Sequence, residues 1–373
     1  MSHTPNTAAA QARPELQKAL RELVEAGWAG VQLRVNDEAG EWVGSAGVSK
    51  LGGHAAPPTD GHFRIGSNTK TFVATLVLQL VADGAIGLDS PVDDHLPEFG
   101  LDRRITVRML LQHTSGLFNY TGEYYEDGTI VPGIPWQGQE WVDNLFHTYP
   151  PEELVRLALS KPARFEPGTD WNYSNTNYVL ARLLVEKVSG RPFAEEVRRR
   201  ILSPLGLSGT VVPDASPEIP EPHAHGYYTY EADGEWKTVD VTRANPSWIS
   251  AAGDMISTTQ DLHTFFSALM SGKILAEPLL AEMRSPHPKL DYGLGLFVQK
   301  TERGDTVYTH NGGFWGWAAL MYSSPDGRTT LTASLTTGDA GIDMAKAAEL
   351  FGAAQQRLVS EVFCGGDPAR PEA

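Results

Sequence analysis

The stretch on which the fold prediction rests is residues 63–82, which read FRIGSNTKTFVATLVLQLVA. From Asn68 to about Ala82 nearly every residue is apolar, and the run is long enough for a helix rather than a strand. A helix that is apolar on every side offers water no face, so we expect this one to be buried. Ser67 and Lys70 stand three residues apart at its start, which places both side chains on one helical face.

Outward from this helix, strand-like sequence lies near both ends of the chain and helix-like sequence lies between them. Two alternating runs, 31–35 and 42–46, flank a turn-like segment and predict a hairpin. Further strands are predicted near the C-terminus, at 293–298, 307–310, 317–322 and 329–335. Segments with helical spacing fill the middle of the chain, at 106–112, 151–160, 176–188, 192–201 and 259–270.

This distribution predicts an α+β protein rather than a series of βαβ units. We expect one antiparallel sheet built from both ends of the chain, flanked by an N-terminal helix at 14–26 and a C-terminal helix at 343–362. An all-helical lobe is inserted between the two halves of the sheet. The expected boundaries are an α/β lobe of 13–66 plus 286–363, a helical lobe of 67–285, and flexible tails at 1–12 and 364–373.

Composition excludes several functional classes. The 373 residues include 30 Lys and Arg against 46 Asp and Glu, a formal net charge of −16. Such a surface repels phosphate groups, so neither nucleic acid nor an anionic membrane is expected as a main partner. The single cysteine, Cys364, rules out a disulfide within the chain and a cysteine-built zinc site. No nucleotide-binding or metalloprotease motif is present, so we expect no cofactor and no metal.

Targeting features are also sparse. The first residues lack a basic region followed by an apolar core, and the longest apolar stretch, 71–88, is interrupted by Gln79 and Asp83. A bilayer-spanning helix is therefore not expected. The sequence predicts a cytoplasmic protein, or a secreted one if a leader segment has been removed.

Ser67 and Lys70 are the first candidates for chemistry. A serine hydroxyl is a weak nucleophile at neutral pH and needs a base close by. A lysine can be that base when burial favours its neutral form. Taken alone, however, the pair also fits a helix-capping serine beside a solvated lysine.

Two further motifs follow along the chain. Tyr173-Ser174-Asn175 precedes a helix, and His310-Asn311-Gly312-Gly313 ends a predicted strand. In isolation the first fits a core tyrosine beside a capping asparagine. The second, in isolation, fits an ordinary turn at a strand end.

Together and in this order, the three motifs resemble those of the penicillin-recognising serine enzymes. That family includes DD-peptidases, class C β-lactamases, D-aminopeptidases and esterases, and its pattern is Ser-x-x-Lys, Tyr-x-Asn, then Lys- or His-x-Gly. The resemblance extends to the segments 106–117 and 292–296. It looks closest to the actinomycete D-alanyl-D-alanine carboxypeptidase branch, which has histidine in the third motif. The resemblance implies a β-lactamase-like fold.

The resemblance also implies catalytic roles. Ser67 would be the acylated nucleophile, and Lys70 and Tyr173 would share the proton transfers, with the base for acylation left open between them. Asn175 would bond the acyl-side amide of the substrate. His310 would stand across the cleft from Tyr173 and position its hydroxyl.

Further positions are expected to bind substrate. The resemblance implies an oxyanion hole formed by the backbone N–H groups of Ser67 and Gly313. The expected substrate-binding residues are Asn175, Asn311, Gly312, Gly313, Trp248, Tyr124 and Phe297.

The chain departs from the carboxypeptidase branch where that branch grips a free carboxylate. The branch has an arginine before the third motif and threonines within it, whereas this sequence has Phe297, Asn311 and Gly313. An aromatic ring cannot replace a charged donor, so strict dependence on a free C-terminal carboxylate is not expected. Aromatic residues such as Trp248 and Tyr124 would instead give the cleft an apolar rim.

The functional prediction is a serine hydrolase or acyltransferase that forms an acyl-enzyme on D-configured peptides, amides or esters. Offloading or cyclisation of a peptide thioester is one variant of that chemistry. The alternatives are a β-lactamase, a strict D-alanyl-D-alanine carboxypeptidase, and a non-catalytic penicillin-binding sensor. In each case the expected partner is a small molecule or peptide containing D-amino acids, with no nucleic acid and no membrane insertion.

Overall fold

The computed structural model describes residues 13–338 and 344–365. The helices are α1 Pro14–Glu25, α2 Thr69–Ala82, α3 Val107–Gln112, α4 Gly138–Asp143, α5 Pro151–Leu159, α6 Asn175–Ser189, α7 Phe193–Val197, α8 Ser203–Leu205, α9 Thr259–Met270, α10 Glu277–Arg284 and α11 Met344–Phe363. The strands are β1 Trp28–Asp37, β2 Gly40–Gly47, β3 Phe63–Arg64, β4 Gly122–Tyr124, β5 Ile130–Pro132, β6 Tyr227–Ala232, β7 Glu235–Asp240, β8 Ile256–Ser257, β9 Phe297–Lys300, β10 Thr306–Thr309, β11 Gly312–Phe314, β12 Trp317–Ser323 and β13 Thr330–Thr337.

The main sheet joins the two ends of the described chain. Its strand order is β2-β1-β13-β12-β10-β9, with β11 paired to β12, and every pairing is antiparallel. The register sets Ala333 at the centre, opposite Leu33 on one side and Leu320 on the other. The predicted sheet built from both termini is therefore confirmed.

Helices cover both faces of this sheet. On one face α1 and α11 pack together over a cluster that includes Leu20, Leu33, Leu320 and Leu358. On the other face lies α9, whose Thr259 carbonyl accepts a hydrogen bond of 2.8 Å from Thr332 Oγ1. The second face continues into the large core that also contains α2.

The position of α9 corrects the predicted lobe boundary. Its sequence was assigned to the inserted lobe at 67–285, yet α9 packs against β1, β12 and β13. Local periodicity shows that a helix has an apolar face, but does not show which surface covers that face. The α/β lobe therefore includes α9.

The inserted lobe is built around α2, which is buried over nearly its whole length and packs against α6 and α7. It is not all-helical, because it also carries the hairpins β4–β5 and β6–β7. The second hairpin turns at Asp233-Gly234, with φ of 57° and 78°. An Asp-Gly pair with positive φ at both positions is the favoured two-residue hairpin turn.

The chain ends differ slightly from expectation. The predicted N-terminal tail, 1–12, lies outside the described residues, as do residues 366–373. The predicted C-terminal tail began at Cys364, but that side chain is buried and its N–H bonds the Ser360 carbonyl at 3.0 Å. The folded region therefore extends at least to this cysteine.

Candidate active site

Ser67 lies in a 3-10 turn, Gly66–Asn68, that leads directly into α2. Gly66 has φ of 52°, and a Cβ at that position would lie 2.6 Å from the backbone nitrogen of Gly313. Gly312 is equally constrained, since its Cβ would lie 1.9 Å from the Ile65 carbonyl oxygen. The two glycines therefore let β11 pass directly beside the turn that carries Ser67.

Two proton-carrying groups converge on Ser67 Oγ. Lys70 Nζ lies 3.1 Å from this oxygen, and the Tyr173 hydroxyl donates a hydrogen bond to it at 2.9 Å. Lys70 Nζ also contacts Asn175 Oδ1 at 2.9 Å and the Ala252 carbonyl oxygen at 2.7 Å. The structure thus brings the first and second sequence motifs together around one hydroxyl.

Burial shifts the pKa values of both Lys70 and Tyr173. Removal from water lowers the pKa of the Lys70 ammonium well below its ordinary value, because the charged form loses its hydration. The same effect raises the pKa of the Tyr173 phenol, which the hydrogen bond to Ser67 only partly opposes. A lysine whose neutral form is favoured by burial and a protonated phenol therefore flank the serine.

His310, the first residue of the third motif, is buried and uncharged. Its Nδ1 lies 2.8 Å from the Asn311 carbonyl oxygen, which can only accept, so Nδ1 carries the proton. Nε2 then accepts from the Tyr292 hydroxyl at 3.3 Å. Burial, with a smaller contribution from nearby Lys70, lowers the pKa of His310 to about 3.

We expected His310 to position the Tyr173 hydroxyl, but no hydrogen bond joins the two side chains. The two ring centroids are 6.4 Å apart, and the hydrogen bonds of His310 run to Tyr292 and Asn311. In this structure the Tyr173 hydroxyl is instead oriented by Ser67. Phe297, at the start of β9, packs edge-on against both His310 and Tyr292.

The other predicted binding residues divide into two groups. Asn175 reaches the site through Lys70, and Trp248 is buried against Phe314 with ring centroids 5.6 Å apart. Asn311 turns away, because its amide bonds the Tyr322 hydroxyl within the sheet at 3.0 Å. Tyr124 is about half exposed on the β4–β5 hairpin. Within the described chain, neither Asn311 nor Tyr124 makes a side-chain hydrogen bond or ring contact with Ser67, Lys70 or Tyr173.

Sequence reasoning missed His113 as a candidate site residue. Its ring lies under Tyr173 with centroids 4.3 Å apart, and its Nδ1 accepts from the Ser174 backbone N–H at 3.2 Å. Burial lowers the pKa of His113 well below its ordinary value, so the ring is neutral. Its segment, 106–117, entered the prediction only as part of the family resemblance.

Asp254 was also missed. It is fully buried, has no hydrogen-bond partner for either carboxylate oxygen within the described chain, and lies 4.0 Å from Arg182 Nη1. Burial raises the pKa of Asp254 to about 7. It follows Ala252 and Gly253 in the loop whose carbonyl holds Lys70, a position that only the fold reveals.

The described residues provide neither a cluster of metal ligands nor a membrane-spanning helix. No group of three or more His, Cys, Asp or Glu side chains there is placed to hold a metal ion. Among the helices in that part of the chain, none is long and apolar enough to cross a membrane.

Comparison with known proteins places these features in context. A family model described as Beta-lactamase matches residues 16–355. A D-stereospecific amidohydrolase from Streptomyces sp. is 36% identical, with a TM-score of 0.81 over 95% of this chain and 100% of that one. The D-amino acid amidase of Ochrobactrum anthropi SV3, solved with L-phenylalanine amide, is 26% identical, with a TM-score of 0.77 over 94% of this chain and 98% of that one.

A curated relative is longer than this chain. Penicillin-binding protein 4* of Bacillus subtilis (strain 168) is 28% identical over 288 residues, which cover 73% of this chain and 60% of that protein. The chain therefore corresponds to only part of that relative's length.

Proposed function

The chain belongs to the β-lactamase family and is a serine hydrolase of that type, and from this premise we propose that it hydrolyses amides and esters of D-amino acids through an acyl-enzyme on Ser67. The observation that carries the proposal is the approach of Lys70 Nζ and the Tyr173 hydroxyl to Ser67 Oγ, at 3.1 and 2.9 Å. A nucleophile with a base and a proton donor on the same oxygen is equipped for acyl transfer.

Acylation begins with the neutral amine of Lys70. The amine takes the Ser67 proton as Oγ attacks the substrate carbonyl, and the resulting ammonium is stabilised by Asn175 Oδ1 and the Ala252 carbonyl. Tyr173 donates its proton to the leaving nitrogen and regains one from Lys70, so the C–N bond breaks without releasing a charged amide ion. The raised pKa of Tyr173 suits a proton donor better than a resting base.

Deacylation reverses the same path with water. A water molecule gives its proton to Lys70 while its oxygen attacks the ester carbonyl, and Ser67 Oγ leaves with that proton. Replacement of water by an amine would give acyl transfer instead, including cyclisation of a peptide ester or thioester.

The negative charge on the carbonyl oxygen would be held by the N–H groups of Ser67 and Gly313. Supporting this role, Gly66 and Gly312 allow the two backbone segments to approach more closely than any side chain would permit. Loss of one such donor typically costs a factor of about 10²–10³ in rate.

The surroundings of the third motif favour an uncharged leaving group. His310 is neutral, Phe297 occupies the position of the arginine in the carboxypeptidase branch, and Asn311 is held by the sheet. A free carboxylate would meet no cation from these three positions. An amide or ester fits better, as in the amidohydrolase and amidase to which the chain is similar.

The test is turnover of D- and L-phenylalanine amides, with intact mass measured after incubation with a fluorescent penicillin. We expect Ser67-dependent hydrolysis that favours the D-enantiomer, and one penicilloyl adduct lost in Ser67→Ala. Ser208→Ala, which removes an exposed serine, is the matched control and keeps both. Equal labelling of Ser67→Ala, or preference for the L-amide, would refute the proposal. Rapid turnover of the penicillin would favour a β-lactamase, and labelling without turnover of any substrate would favour a sensor.

A further inference from the structure

Glu123 is a buried carboxylate near the second motif, and the acyl-transfer chemistry proposed for Ser67 gives it no part. It is the middle residue of β4, and only 4% of its side chain is exposed, although Tyr124 beside it is about half exposed. Its partner across the hairpin is Val131, which brings no charge. A glutamate is rarely buried to this extent unless donors match its charge.

Three residues outside β4 donate hydrogen bonds to this carboxylate. Arg164 Nη1 donates to Oε2 at 2.6 Å, in an ion pair whose arginine is itself mostly buried. The backbone N–H of Asn119 donates to Oε1 at 3.0 Å. Asn172 Nδ2 lies 2.9 Å from Oε1 and 3.1 Å from Oε2. Both oxygens of Glu123 are therefore engaged by groups from the loops that flank β4 and α6.

Two of these donors adjoin the Tyr-x-Asn motif. Asn172 directly precedes Tyr173, whose hydroxyl donates a hydrogen bond to Ser67 Oγ. Asn119 contacts the other end of the motif, because its Oδ1 accepts a hydrogen bond of 3.1 Å from the backbone N–H of Asn175. The carboxylate therefore holds both the start and the end of the segment that carries the phenol.

Arg164 also binds the β4–β5 hairpin. Its Nη2 donates to the Tyr124 carbonyl oxygen at 3.1 Å, and its guanidinium lies 4.5 Å from the centroid of the Tyr125 ring. Its backbone N–H donates to the Gly116 carbonyl oxygen at 2.8 Å. The arginine is thus held by several contacts besides the ion pair, so Glu123 contacts Asn172 from a rigid support.

We propose that Glu123 is a positioning residue for Tyr173, and that through Asn172 it keeps the phenol in the orientation that protonates the leaving group. The proposal rests on the proposed function, in which Tyr173 donates to the leaving nitrogen. An amide needs that proton because its leaving group is otherwise a strong base, whereas p-nitrophenolate leaves without one. Loss of the carboxylate should therefore slow amides more than activated esters. A residue needed only for folding would lower both rates by the same factor.

The experiment compares D-phenylalanine amide with the p-nitrophenyl ester of D-phenylalanine, which share an acyl group. Glu123→Gln keeps the size of the side chain but removes the charge that Arg164 and Asn172 bind. We expect kcat/KM for the amide to fall at least tenfold more than kcat/KM for the ester. Glu196→Gln is the matched control, because it removes another buried carboxylate that pairs with arginines, and it should leave the amide-to-ester ratio unchanged.

Asn172→Ala interrupts the same path without leaving Arg164 unpaired, and it decides the question if Glu123→Gln does not fold. The amide-to-ester ratio should fall in this variant too. Adding Glu123→Gln to it should lower the ratio no further, since the two residues act through one another. An unchanged ratio in Asn172→Ala would overturn the proposal.

A crystal structure of Asn172→Ala gives a readout that does not depend on turnover. The Tyr173 hydroxyl should no longer lie 2.9 Å from Ser67 Oγ, and an unmoved hydroxyl would contradict the positioning role. Failure of the proposed function is distinguishable, because hydrolysis of both substrates would then persist in Ser67→Ala.

Discussion

The Tyr292 hydroxyl donates a hydrogen bond of 3.3 Å to Nε2 of His310. Because Nδ1 already donates to the Asn311 carbonyl, this bond engages the last free nitrogen of the ring and leaves the imidazole neutral. The first position of the third motif is lysine or histidine in this family, and in this chain His310 contributes no positive charge there. A leaving group that carries a free carboxylate therefore finds no cation at His310.

Phe297→Arg should increase the relative rate on substrates with a free C-terminal carboxylate. The side chain starts from a ring centroid 5.4 Å from that of His310, so a guanidinium there lies at the proposed leaving-group side. A charge-assisted hydrogen bond of roughly 1.5–3 kcal/mol corresponds to a factor of about 10–100 in kcat/KM. The measurement is the ratio of D-Ala-D-Ala peptide to its C-terminal amide. A wild type that already prefers the acid a hundredfold would contradict the assignment.

Lys70 should set the acid limb of the pH–rate profile. Since burial lowers the pKa of its ammonium, the neutral amine is populated at lower pH than for an exposed lysine. With a neutral ester as substrate, kcat/KM should rise with pH through this pKa and then level off. Lys70→Met should remove the limb and lower kcat/KM by about 10²–10⁴. Lys273→Met, at an exposed position, is the control, and an unaltered limb in Lys70→Met would show that another group is the base.

Asp254→Asn should stabilise the fold more at pH 8 than at pH 5. The folded-state pKa of about 7 exceeds the ordinary value of 3.8, so between these values the folded protein holds a proton that the unfolded chain releases. Stability therefore falls as pH rises through this window, by an amount on the order of a few kcal/mol. Arg182 lies 4.0 Å away and offsets part of that cost.

Thermal unfolding at the two pH values measures the effect. The difference in Tm between Asp254→Asn and wild type should increase from pH 5 to pH 8. Asp60→Asn changes an exposed carboxylate and provides the reference. A difference in Tm that is independent of pH would mean that Asp254 is already ionised at pH 5.

Gly312→Ala should abolish activity, because its Cβ would lie 1.9 Å from the Ile65 carbonyl oxygen and 2.9 Å from the Ser67 nitrogen. The strand must move away from the catalytic turn, which separates the two proposed oxyanion donors. Gly352→Ala makes the same change in α11, where a Cβ meets nothing within 4 Å, and should keep full activity. Hydrolysis of a p-nitrophenyl ester reports the result, and an active Gly312→Ala would show that β11 does not form this side of the site.

Much of the fold followed from short-range pattern. The apolar run that begins at Asn68 predicted a buried central helix, and α2 spans Thr69–Ala82. The strand-like ends predicted a sheet built from both termini, which the pairing of β1 with β13 confirms. The β-lactamase-like fold and the family are likewise confirmed. These features depend on residue periodicity, which is local, and on the order of motifs along the chain, and both can be read from the sequence without knowing which surfaces meet.

Features that depend on which surfaces meet were not predictable. Periodicity could not show that α9 covers the sheet, and Asn311 was expected at the substrate although its amide bonds Tyr322. His113 and Asp254 were missed because each acts through a neighbour distant in sequence, Tyr173 in one case and Arg182 in the other.

The sequence by itself predicted the type of chemistry, because Ser67 and Lys70 share one helical face and the other two motifs follow them in the order typical of the family. Only the tertiary structure decided the pKa shifts of the titratable side chains at the site. Burial lowers the pKa values of Lys70 and His310, and burial is a property of the packed chain rather than of any segment.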